Sequence, residues 1–202
     1  MSEKDAAPAR VEWLTLLLIL VCYGGWVVAL FWLPLSIGLP VMGILIALHG
    51  SLTHEVLHGH PFRSRIANEF LMSLPLNLSI PFHRFRDLHL AHHRDSNLTD
   101  PYDDPESNYL DPAVWNRMPR WQQAACRMNN TLLGRIVMGP LIGQVLFLRS
   151  EIRGALHGDR EIWLAWALHL PGAALVLMIV AASPMSVWAY LIAAYLGLGL
   201  LR

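Results

Sequence analysis

The chain has 202 residues, room for one modest domain. Hydrophobic residues make up 54% and charged residues only 15%, against roughly a quarter charged in soluble domains, which points to a membrane. Zero formal net charge excludes a broad basic surface for nucleic acid, and the two distant cysteines, Cys22 and Cys126, exclude a CxxC metal site or a disulfide framework.

The N-terminal stretch "MSEKDAAPAR" mixes both charge signs and precedes an apolar run too long for a signal-peptide core, so residues 1–12 read as a cytoplasmic tail. Between Glu12 and Glu55 there is no Asp, Glu, Lys or Arg. A bilayer span takes about 20 residues, so this stretch holds two. Pro34, Gly38 and Pro40 supply the turn of a first transmembrane hairpin over residues 13–53. A second charge-free run from Ile162 to Leu201, broken by "SPMS" at 183–186, predicts another hairpin over residues 161–202. Every Lys and Arg lies in the tail, between the hairpins or at Arg202. By the positive-inside rule both termini and the middle segment are cytoplasmic.

Residues 54–160 form the region between the hairpins, and they are not simply soluble. "FLMSLPLNLSIPF" at 70–82 is apolar but too short to cross and is broken by Pro75 and Pro81. Residues 131–148 set Arg135, Gly139, Pro140 and Gly143 in an apolar background. Both predict elements lying at the membrane surface or dipping into it. "DPAVWNRMPRWQQAACRMNN" mixes Trp with Arg, as interfacial helices do. The expected fold is an all-α integral membrane protein with two helical hairpins, four spans, and a partly interfacial helical region between them.

Eight of the ten histidines fall between positions 49 and 93. In "HEVLHGH", His54 and His58 are four residues apart and share one helical face, about 40° from each other. In "HLAHH", His89 pairs with His93 by the same rule, and His92 sits one turn from His89. Neutral imidazole is a good ligand for zinc, copper, iron and nickel. Three readings compete. "HEVLH" matches the H-E-x-x-H pattern of zinc proteases, in which Glu55 would be the general base, but that leaves "HLAHH" without a role. Polar histidines at a membrane edge are the bland alternative. Five imidazoles from two segments, more than one tetrahedral metal needs, favour a larger metal centre.

"HEVLHGH" followed by "HLAHHRDSNLTDPYDDPES" resembles the membrane fatty acid desaturase and hydroxylase superfamily. The resemblance covers most of the chain. It implies oxygen-dependent desaturation of fatty acyl chains at a di-iron centre, with His54, His58, His89, His92 and His93 as ligands, two iron ions as cofactor and dioxygen as co-substrate. A hydroxylase or carotenoid-type oxygenase of the same superfamily is the nearest alternative, and an intramembrane zinc metalloprotease using "HEVLH" the second. A third HxxHH box, which the resemblance implies after the second hairpin, does not occur in these 202 residues. The expectation is therefore a chain truncated before that box, inactive as a fragment, with further ligands lying outside it.

A methylene C–H has no acidity, so a redox metal and dioxygen are needed to break it. The sequence contains no cysteine cluster and no Gly-rich nucleotide motif. Electrons are thus expected from a partner, by resemblance a ferredoxin, rubredoxin or cytochrome b5, and the expected location is a bacterial inner membrane. His169, two turns into the third predicted span, is a further ligand candidate. His60 falls off the face of His58, His49 lies on nearly the opposite side, and His83 and His157 read as interfacial. Glu55, Asp87 and Asp95 could accept hydrogen bonds from ligand imidazoles. Asp100, Asp103 and Asp104 serve that role or cap turns. Arg84 and Arg86 are expected to contact headgroups or water.

Overall fold

The computed structural model describes residues 11–94 and 110–201, the side chains at 92 and 94 excepted. Among these residues there are ten helices and no strand. Helix α1 (Trp13–Phe31) carries no Asp, Glu, Lys or Arg, so it can satisfy its backbone internally in hydrocarbon. Residues 32–34 then turn the chain into α2 (Leu35–Leu57). Pro34 starts that helix: its carbonyl accepts from the N–H groups of Ile37 and Gly38 at 3.0 and 2.8 Å. Helix α2 continues four residues beyond the expected hairpin end at 53, and so carries the first histidines on its last turn.

Six shorter helices follow: α3 (Arg65–Leu71), α4 (Phe82–Arg94), α5 (Pro112–Arg117), α6 (Arg120–Asn129), α7 (Leu132–Val137) and α8 (Gly139–Leu156). Asp159 caps α9 (Arg160–Ala181), its carboxylate accepting from Glu161 N and Ile162 N. Ser186 caps α10 (Val187–Leu200) in the same manner. Among the described residues, three helices are long and apolar enough to cross a membrane: α1, α2 and α9. The place of the fourth expected span is taken by α10, an apolar helix of 14 residues that follows the turn at 183–186.

Helix α10 packs closely on α2. A Cβ added to Gly197 would sit 2.8 Å from the Gly43 carbonyl oxygen, a backbone approach that small residues permit between membrane helices. Met42, Ile46, Val176, Val180 and Ala193 fill the core around it. Trp26 donates its indole N–H to the Tyr190 hydroxyl at 3.2 Å within that core. Leu14, Leu17 and Leu20 of α1, with Leu164, Leu168 and Met178 of α9, point outward, as lipid-facing side chains must.

The apolar segment after α3 tucks into the bundle without being helical. Met72 and Leu76 within residues 72–81 are buried. Buried irregular backbone needs partners for its carbonyls. Tyr23 donates to Leu71 O at 2.8 Å, and Tyr190 donates to Leu76 O at 2.7 Å. His169 Nε2 lies 3.0 Å from Leu78 O. Polar atoms from α1, α9 and α10 thus hold the loop that delivers the chain into α4. Farther on, Tyr195 of α10 bonds the Val137 carbonyl, tying α7 to the bundle. The Arg127 guanidinium lies 5.5 Å from the Trp115 ring, joining α6 to α5.

Candidate metal centre

The end of α2 sets the first pair of histidines. His58 is the C-cap, with near-helical dihedrals of −78° and 0°, so it keeps the one-turn spacing from His54. Gly59 follows at φ +103°, the left-handed conformation that ends a helix most readily at glycine. The Gly59 and His60 N–H groups return to the Val56 and Glu55 carbonyls at 3.1 and 3.4 Å. This double closure turns the chain sharply away immediately after His58. Asn68, buried, then locks the returning strand by bonding both backbone groups of Phe62 at 2.9 and 3.0 Å.

Helix α4 brings the second pair. Its first turn closes on the Pro81 carbonyl, which accepts from Phe85 N at 3.0 Å. His89 is buried at 7% exposure, while His93 sits at the exposed edge. Ring centroids are 4.8 Å apart for His54 and His58, 4.5 Å for His54 and His89, and 4.5 Å for His89 and His93. One nitrogen from each of these four histidines lies within 4.8 Å of the others.

These contacts fit a bound metal. The Nε2 atoms of His89 and His93 are 2.9 Å apart. Two imidazole lone pairs cannot face each other at that distance without a proton or a cation between them. Imidazole nitrogen binds a divalent metal at about 2.1 Å, so a coordination shell is about 4 Å across, comparable to the spread of these donors. His92 belongs to α4 by its backbone, but its side chain lies outside the described residues. Asp95, Asp100, Asp103 and Asp104 also lie outside them.

The other sequence candidates go elsewhere. His169 is not one of the four clustered histidines; it holds the Leu78 carbonyl and packs edge-on to Trp166, with centroids 5.6 Å apart. His49 is buried against the Tyr23 hydroxyl at 3.2 Å. His60 Nδ1 lies 2.9 Å from the Glu12 carboxylate. His157 Nδ1 lies 2.7 Å from its own helix's Arg153 carbonyl. Glu55 is exposed and is not one of the four clustered residues. Asp87 receives the Arg86 guanidinium at 2.8 and 2.9 Å.

Neither Arg84 nor Arg86 behaves as a headgroup contact. Arg84 reaches inward from α4 to Glu151 of α8, with three N···O distances of 2.8 to 3.0 Å. Glu151 is 3% exposed and also accepts the Trp166 indole N–H at 3.1 Å. Burial works against the Arg84 charge, but the facing Glu151 carboxylate outweighs it and raises the guanidinium pKa. Arg86 bonds Glu69 of α3 at 2.8 Å, and Glu69 also meets Arg65 and His83. Burial would raise the Glu69 carboxyl, yet these cations hold it below the usual carboxylate range. A cavity of about 220 Å³ lies between His58 and this Glu69 network.

Sequence reasoning missed Tyr23, Tyr190, Glu151 and Trp166. The available signal was weak: single polar groups in apolar helices, each of which by default marks a need for a partner. The partner is named only by the fold. Against known families, the model described as fatty acid desaturase matches residues 30–202. No curated protein and no solved structure matches the chain.

Proposed function

We propose, from the premise that this chain belongs to the fatty acid desaturase family, that it introduces a double bond into fatty acyl chains at a histidine-rich di-iron centre. His54, His58, His89, His92 and His93 hold the iron. The observation that carries this reading is the convergence of four imidazole donors from two helices within 4.8 Å. A zinc protease of the H-E-x-x-H type needs one protein ligand beyond the α2 pair, leaves at least one of His89 and His93 unexplained, and does not agree with the family.

Bound iron would supply the dioxygen-dependent oxidation of an unactivated C–H bond, which no acid or base side chain can perform. The residues of the chain do the rest. The end of α2 and the face of α4 orient the imidazoles, and the apolar helices keep the site next to lipid, where an acyl chain is already dissolved. Dioxygen is reduced to two waters by the two hydrogens removed from the acyl chain, together with two electrons from a ferredoxin, rubredoxin or cytochrome b5 type donor and two protons from solvent. In this reading the histidine end of the bundle and both termini face the cytoplasm, in a bacterial inner membrane.

The test is metal analysis together with acyl-chain profiling. Iron approaching two per full-length chain, and new unsaturated acyl chains when the full-length protein is expressed with a matched donor, support the reading. Hydroxylated acyl products in place of alkenes would move it to the hydroxylase branch. Bound zinc without iron, with an unchanged acyl profile, would sink it.

A further inference from the structure

Helix α4 is gripped on opposite sides. Successive residues of a helix turn by 100°, so Arg84 projects about 180° from His93 and about 140° from His89. The histidine face meets the end of α2, where His58 Nε2 lies 3.3 Å from His89 Nε2. The opposite face is held by the Arg84–Glu151 pair, whose forked geometry uses both carboxylate oxygens. Glu151 is in turn oriented by Trp166 of α9. One turn along α9, His169 holds Leu78, three residues before Pro81 receives the first bond of α4.

An ion pair so placed does more than join helices. A guanidinium fork bound to a carboxylate is directional, unlike an apolar contact, and resists both sliding and rotation. Rotation of α4 by even a fraction of one residue step would swing His89 and His93 away from the α2 pair. Replacing one partner leaves the other buried and unpaired, so α4 would be expelled from its seat rather than merely loosened.

We infer that Arg84, Glu151 and Trp166 are positioning residues that set the rotation of α4 and thereby the geometry of the histidine centre. The inference rests on the metal-binding reading above and concerns residues that touch no metal or substrate.

The test titrates Co2+ into the purified full chain in detergent and reads the visible ligand-field spectrum, beside the melting temperature of the metal-free protein. Wild type is compared with Glu151→Gln, Arg84→Met, Arg84→Lys and Trp166→Phe. The last keeps the aromatic ring and removes only the indole N–H, so it folds even where the charge variants do not. Glu151→Gln and Arg84→Met are expected to weaken Co2+ binding about tenfold or more, the scale of losing a partner that orients a metal ligand. Trp166→Phe weakens it about two- to fivefold, below that full loss, because the pair remains. All three shift the spectrum, and Arg84→Lys recovers part of the affinity. A lowered melting temperature with unaltered Co2+ affinity and spectrum would overturn the inference, since the pair would then hold only the fold. Absence of Co2+ binding in wild type would instead remove the metal centre itself, and the positioning role with it.

Discussion

His58 and His89 bring their Nε2 atoms within 3.3 Å of each other although thirty-one residues separate them in the chain. His58 and His89 each have ring contacts with the other three histidines of the cluster, and His89 is its buried member. His93 lies at the exposed edge, in ring contact with His58 and His89.

Removal of the buried histidine should therefore cost more than removal of the exposed one. His89→Ala is expected to weaken iron binding by more than the roughly 10–100-fold typical of losing an outer partner. His93→Ala should lose less iron yet still abolish desaturation. Iron content after gel filtration, with acyl-chain profiling, measures both. Equal iron retention in the two variants would falsify this ranking.

Tyr190 donates to the buried Leu76 carbonyl and accepts from Trp26. Tyr190→Phe keeps the ring but strands both groups at membrane depth. The expected loss is about 1–3 kcal/mol, the desolvation cost of unsatisfied buried polar groups. Thermal denaturation in detergent reads it. A change of only a few tenths would mean that water reaches the loop.

Gly172 admits the loop backbone against α9. A Cβ there would meet the Ser73 carbonyl oxygen at 2.0 Å, a contact that backbone must move to relieve. Gly172→Ala is expected to cost about 2–3 kcal/mol, at the upper end of overpacking penalties. Gly24→Ala is the control, because a Cβ at Gly24 meets nothing within 4 Å. The two melting temperatures should differ, with Gly24→Ala near wild type.

Glu69 gives a pH signature. Burial opposes its charge, but Arg65, His83 and Arg86 hold its folded pKa below the unfolded value of 4.5. A group depressed on folding stabilises the native state above its unfolded pKa, and that contribution disappears as pH falls through the folded pKa. The melting-temperature difference between wild type and Glu69→Gln should thus shrink as pH falls below 4.5. A difference that grows below pH 4.5 would contradict the assigned pairing.

The all-helical fold, the helix break at Pro34, the membrane setting and both histidine pairs were legible in the residues alone. All are local. Hydropathy over about 20 residues marks a span, and an i,i+4 spacing puts two imidazoles on one face wherever that helix lies. The same local logic misread Arg84, because composition describes an arginine near a membrane edge but not a buried glutamate sixty-seven residues away.

Which imidazoles meet, and what keeps them there, belongs to the folded chain. His169 has the credentials of a ligand in the sequence, and it is the fold that sets its Nε2 3.0 Å from the Leu78 carbonyl oxygen. Short-range patterns prescribe which face a side chain occupies. Only packing decides what stands opposite that face, because a buried polar atom takes whichever partner the surrounding helices bring within about 3 Å.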